Sequence, residues 1–282
     1  MPARRLVAAL LTALVVAGCG GPTGSPSIAV GARDDDVVSM VLANLYAAAL
    51  RTYGTPAHVT TMPDPLAGLD SGEITVVPGF TGRLLDTFVP GAKARSSAQV
   101  YRDLVSALPE GVAAGDYAEA AEDKPAVAVS EVTAGAWGSR DVTAAVRHCD
   151  KLKIGGIVGV RHPEAIGTCA AAVIEYPSAA RLFEALRAGQ VNAVWTSTAA
   201  PDIPADAVVL ADRTALIRAE NVVPLYRRNE LTEMQVLALN EVAGVLDTAG
   251  LVQLRRQVTA GGDPARVADG YLAEHPLGAT SR

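Results

Sequence analysis

The stretch Asp64-Pro65-Leu66-Ala67-Gly68-Leu69-Asp70-Ser71-Gly72-Glu73-Ile74-Thr75-Val76-Val77 decides the class of fold. Asp64 can accept hydrogen bonds from the free N–H groups of a helix start, and Pro65 has no N–H to lose at the first helical position. Gly72 suits the left-handed turn that stops a helix. The run Ile74 to Val77 then reads as a buried strand. A helix handed straight to a strand recurs in both directions along the chain. Upstream, Ser27 to Gly31 reads as a strand, and Asp34, Asp35 and Asp36 cap a helix carrying Val38, Val41, Leu42, Leu45, Tyr46, Ala49 and Leu50 at helical spacing up to Gly54. Downstream, Ser97 opens a helix with Val100, Tyr101, Leu104 and Val105. Strands follow at Ala126–Val129, Ile154–Val160, Val191–Trp195, Val208–Leu210 and Val222–Tyr226. Helices are expected at Asp141–His148, Ala179–Arg187, Thr232–Leu246, Leu251–Val258 and Pro264–Ala273. Alternating strands and helices predict an α/β fold with mainly parallel sheets.

Composition narrows the function. The 282 residues are 50% hydrophobic and 19% charged, enough for a substantial buried core. Aromatic residues make up only 4%, so alanine and valine carry the apolar content. A formal net charge of −6 offers no positive field for nucleic acid. Three cysteines are too few for a disulfide-dense scaffold.

The first residues look like an export signal. Arg4 and Arg5 precede the twelve-residue run Leu6 to Ala17, which is interrupted only by Thr12 and is too short to span a bilayer. It ends in Val16-Ala17-Gly18-Cys19, which resembles a bacterial lipoprotein lipobox. The resemblance implies cleavage after residue 18 and a diacylglycerol thioether on Cys19. Residues 19–27, rich in Gly, Ser and Pro, would then tether a body to the outer face of the cell membrane.

Catalytic signatures are not found. The chain has no G-x-S-x-G elbow, phosphate loop or H-E-x-x-H pair, so no catalytic residue is assigned and no enzyme or cofactor is expected. Asp34-Asp35-Asp36 reads as a helix start, because three consecutive side chains converge poorly on one ion. His148-Cys149 and His162…Cys169 match no common zinc spacing, so no metal is expected. In an exported protein Cys149 and Cys169 read as a disulfide, with two buried free thiols as the alternative.

The order of motifs from Ile28 to Leu277 resembles the ProX-like (OpuAC-type) glycine betaine/choline-binding proteins of osmoprotectant ABC importers. The stretches that carry it are Ile28-Ala29-Val30-Gly31-Ala32-Arg33, Ala67 to Gly82, Lys124 to Val129, Ala185 to Asn192, Val208 to Asp212 and Glu220-Asn221-Val222-Val223-Pro224. The resemblance implies a two-lobed type II periplasmic-binding-protein fold, with lobe 1 at 27–124 plus 226–282 and lobe 2 at 125–225. A small solute would sit between the lobes, and the partners would be the permease and ATPase subunits of an importer. The family's tyrosine cage is reduced here: one ring falls at Phe80, others at Pro125 and Glu220, and Trp195 stands near a further one. Arg33 and Arg83 are candidates for an anionic group, Asp123 and Glu220 for a cationic one. Thr81 and Asn221 complete the expected ligand set. A scaffold with so reduced a cage also fits a sensor or envelope interaction lipoprotein that does not transport.

Overall fold

The computed structural model describes residues 27–278. Cys19, the signal segment and most of the tether lie outside the described residues. The chain runs β1 (Ile28–Arg33), α1 (Val37–Thr52), β2 (Ala57–Met62), α2 (Pro65–Ser71), β3 (Val76–Phe80), α3 (Thr81–Phe88), α4 (Ser97–Ala107) and β4 (Val112–Ala114). It crosses once and forms β5 (Pro125–Ser130), α5 (Glu131–Trp137), α6 (Thr143–Arg147), β6 (Ile154–Ile157), β7 (Val173–Tyr176), α7 (Ala179–Arg187), β8 (Ala193–Ser197) and β9 (Ala207–Val209). It then returns through β10 (Val222–Arg227) to α8 (Glu233–Val245), α9 (Thr248–Thr259) and α10 (Pro264–Glu274).

Two five-stranded sheets result, in the orders β2-β1-β3-β10-β4 and β7-β6-β8-β5-β9. Both are mixed rather than mainly parallel. β1 pairs in parallel with β2 and β3, whereas β10 is antiparallel to β3 and β4. β6 is parallel to β7 and β8, whereas β5 is antiparallel to β8 and β9. The reason is the crossing. β10 begins with Val222 opposite Phe80, where β3 ends, and β5 begins with Pro125 opposite Ser197, where β8 ends. A strand entering a sheet at the edge where its neighbour finishes must run against it. Val222 to Leu225, expected in the second lobe, therefore stand in the first sheet.

The expected helix signals act locally. The Asp36 carboxylate accepts from Val38 N at 2.8 Å to start α1. Asp64 accepts from Leu66 N and Ala67 N, and Gly72, at φ 83°, ends α2 in the left-handed region. Ser96, not Ser97, occupies the N-cap of α4 and makes no side-chain cap bond there. Thr232 and Gln235 form a reciprocal capping box on α8. α1 is buried on almost every face, because it lies between the first sheet and α8, α9 and α10. Val41, Leu42, Leu45, Leu50 and Tyr46 pack there with Leu239, Val242, Leu251 and Tyr271. The second lobe has its own cores, around Val127, Ile154, Ala193 and Trp195 and around Leu182, Phe183 and Leu186. The sulfurs of Cys149 and Cys169 are bonded, with their Cα atoms 5.6 Å apart. Ile166 and Cys169 face each other in a bridge that turns the chain back towards Cys149. A closed loop of this size stabilises by about 3 kcal/mol.

Candidate interlobe binding site

α3 carries the centre of the site. It starts directly from β3 with Phe80 at the N-cap, a residue with no side-chain oxygen to cap it. The missing acceptor comes from the second crossing: Glu220 Oε2 accepts from Arg83 N at 2.9 Å. Gly82 permits the approach, since a Cβ there would lie 2.5 Å from the Ala219 carbonyl oxygen and 2.7 Å from Glu220 Oε1. Burial pushes the Glu220 carboxyl up to about 7, against the nearby Arg83 charge and the backbone N–H groups that pull it down. Thr81 and Asn221 are buried and tie the same two segments together. Thr81 N donates to Asn221 O, and Asn221 N donates to Thr81 Oγ1. The Asn221 side-chain amide donates to the carbonyls of Ala118 and Glu119 in the first crossing.

The Arg83 side chain turns back over the Phe80 ring, its Cζ 4.6 Å from the centroid. Its Nη2 donates to Asp123 Oδ2 at 3.2 Å and to the Asp123 carbonyl at 3.4 Å. The other carboxylate oxygen, Oδ1, accepts from Arg255 Nη1 of α9 at 3.2 Å. Arg255 Nη1 also donates to the Ala199 carbonyl. Asp123 is 4% exposed and so lies almost wholly out of water between two guanidinium groups. Beside it, Lys124 pairs with Asp212 at 3.4 Å, and burial pushes the Glu122 carboxyl up.

A cavity of about 390 Å³ opens next to this cluster, between the two sheets. Arg83, Asp123 and Arg255 form its first-lobe wall. The facing wall comes from the second lobe and includes Trp195, His162, Phe183 and Pro125. Trp195 sits on β8 with the His162 ring stacked on it, centroids 5.9 Å apart and planes within 4°.

The structure thus brings Phe80, Thr81, Arg83, Asp123, Glu220 and Asn221 into one cluster and sets Trp195 across the cavity from it. Of these, Arg83, Asp123 and Trp195 line the cavity. Phe80 is buried beneath Arg83, Glu220 is committed to the start of α3, and Thr81 and Asn221 hold backbone. Arg33 stands apart. It ends β1, is half exposed, and makes a two-pronged pair with Asp35 at 3.1 and 3.2 Å that raises its pKa. It does not line the cavity, because the acidic run that starts α1 supplies a nearer partner. Sequence reasoning missed Arg255, His162 and Phe183. The first sits in an ordinary amphipathic helix next to Arg256, and only its distance to Asp123 sets it apart.

The sequence matches no protein-family model and no curated protein. Solved structures do match in fold. YehZ from Escherichia coli in its apo form aligns over 89% of this chain and 99% of its own, at 19% identity and a TM-score of 0.69. A glycine betaine/carnitine/choline ABC transporter structure covers 88% and 98% at 15% identity, with a TM-score of 0.72. An ABC-transporter choline-binding protein in complex with choline covers 88% and 89% at 17% identity, with a TM-score of 0.55. What this chain shares with them is the two-lobed type II periplasmic-binding-protein fold.

Proposed function

We propose that the chain is a lipid-anchored solute-binding protein of an ABC importer, holding a small quaternary ammonium or zwitterionic solute between its lobes and passing it to a permease driven by an ATPase. The observation that carries this reading is the interlobe cavity, with guanidinium groups on one wall and the Trp195 ring on the other. Opposed charged and aromatic walls suit a molecule with a polar end and a methylated end. The fold shared with betaine- and choline-related transporter proteins supports the same assignment. Anchoring through Cys19 follows from the lipobox resemblance and puts the body on the extracytoplasmic face of the cell membrane.

Native mass spectrometry of protein from its own host, followed by calorimetric titration of the solutes found, tests the ligand. A saturable one-to-one complex is expected, and no complex with any co-purifying or betaine-type solute would reject the reading. Cys19→Ala should move the protein from the membrane fraction to the soluble fraction. A second reading, a sensor or envelope interaction protein on the same scaffold, draws on one observation: Phe80, Glu220 and Arg33 are all engaged within the protein. It predicts that no solute binds.

A further inference from the structure

We infer that Arg83 and Arg255, held side by side on Asp123, form a carboxylate subsite, and that the cavity selects solutes by their anionic end and excludes choline-like cations. The inference rests on the solute-binding reading and narrows its ligand class. Charge comes first. Arg83, Arg161 and Arg255 line the cavity against Asp123 and Asp202, so cations outnumber anions there. Asp123 is nearly buried and shares its single negative charge between two guanidinium groups, one on each oxygen. That leaves the pair with a net positive charge facing the cavity, Arg255 largely buried and Arg83 half exposed. A bare cation entering there meets repulsion, whereas a carboxylate is attracted.

Geometry points the same way. Arg83 uses Nη2 on Asp123, and Arg255 uses Nη1 on Asp123 and on the Ala199 carbonyl. A guanidinium has five N–H donors, and the Nε and second Nη of each arginine make no bond within the described residues. Asp123 fixes both groups before a solute arrives, which lowers the ordering cost of binding. The facing wall carries a single carboxylate, Asp202, and Arg161 on the same wall offsets its charge. Trp195, Phe183, Leu182, Ile157 and Pro125 offer apolar and ring surface that accepts a methylated head whether or not it is charged. Arg255 is thereby a specificity-determining residue, contributed by a helix of the C-terminal segment.

Three probes of matched size separate the possibilities: glycine betaine, its uncharged-head counterpart 3,3-dimethylbutyrate, and choline, which keeps the trimethylammonium head but lacks the carboxylate. Titration of the wild-type protein should show glycine betaine and 3,3-dimethylbutyrate binding at least about 100-fold more tightly than choline. Arg255→Gln and Arg83→Gln should each shrink that preference at least about tenfold, and Arg255→Lys, which keeps the charge but loses the fork, should restore part of it. Choline binding as tightly as glycine betaine, or a preference untouched by either glutamine variant, overturns the inference and leaves the solute-binding reading standing. Silence from all three probes overturns the inference, while the solute-binding reading then stands or falls with the solutes that co-purify from the host. The wild-type comparison decides even where a glutamine variant does not fold.

Discussion

Glu220, expected to face a solute, is taken up inside the protein. Its carboxylate was expected to meet a cationic solute, yet its hydrogen bond goes to the Arg83 N–H at the start of α3. The sequence displays the residue but not its partner, which lies 137 positions away. The resemblance singled out Phe80 as a ring and Arg83 as a cation, each by its own position, whereas Arg255 was not legible, because a cation on a helix face is ordinary until a buried acid is found beside it. Burial gives Glu220 a pH signature. Its carboxyl titrates near 4.5 in the unfolded chain and at about 7 in the folded one. Between those values the folded protein holds the proton more tightly, so stability falls as pH rises through the window, by about 3 kcal/mol in all. Burial pushes Glu122 in the same direction and adds to the slope. Glu220→Gln, which keeps an oxygen for Arg83 N, should flatten most of this fall. Denaturant midpoints at pH 5 and pH 8 measure it, and an unchanged slope in the variant would show that the carboxyl is not the source.

At the scale of elements, the readable ones carry their own signals and the unread ones borrow theirs. α1, α2 and α8 were legible because Asp36, Asp64 and Thr232 cap them from the adjacent residue. α3 was not, because its cap arrives from the second crossing. β2 was missed because it is an edge strand whose Ala-His-Val-Thr-Thr-Met sequence shows little apolar alternation; the full parallel register with β1 defines it. β6 ends at Ile157, short of the expected Val160, since Gly159 turns the chain at φ 76°. The borrowed cap makes the first turn of α3 sterically exacting. Gly82→Ala would drive a methyl into the Ala219 carbonyl and the Glu220 carboxylate, a backbone contact that cannot simply swing away. A loss of about 1–3 kcal/mol is expected by chemical denaturation. Gly135→Ala in α5 meets nothing within 4 Å and should instead gain about 0.5–1 kcal/mol. Equal effects at the two sites would mean that the α3–Glu220 contact is not tight in solution.

For the whole molecule, the α/β character was legible from alternation and the two lobes from the family resemblance, and the mixed strand direction was not, because it depends on where the chain crosses rather than on any strand's composition. The two crossings touch where Asp123 N donates to the Glu220 carbonyl at 3.0 Å, and further contacts tie the segment after β8 to the first of them. Lys124 N donates to Thr198 Oγ1, which itself donates to the Glu122 carbonyl, each at 3.0 Å. From the first lobe, Arg255 and Arg256 of α9 donate to the carbonyls of Ala199 and Pro201. The segment after β8 is thus fastened to the first crossing and to α9, while among the described residues the cavity walls beyond it are joined by no covalent link other than the crossings themselves. Rotation about this fastened edge is the motion the architecture permits, with the arginine wall and the Trp195 wall approaching each other. A solute touching both walls binds the approached arrangement better than the separated one, and only that difference can shift the population. A compact chain of this length has a radius of gyration of about 19 Å. Small-angle scattering should show a value above this for the solute-free protein and a fall towards it on saturation with glycine betaine. An unchanged radius under conditions where calorimetry shows saturable binding would mean that the lobes do not close on the solute, and that the cavity takes it as a preformed groove.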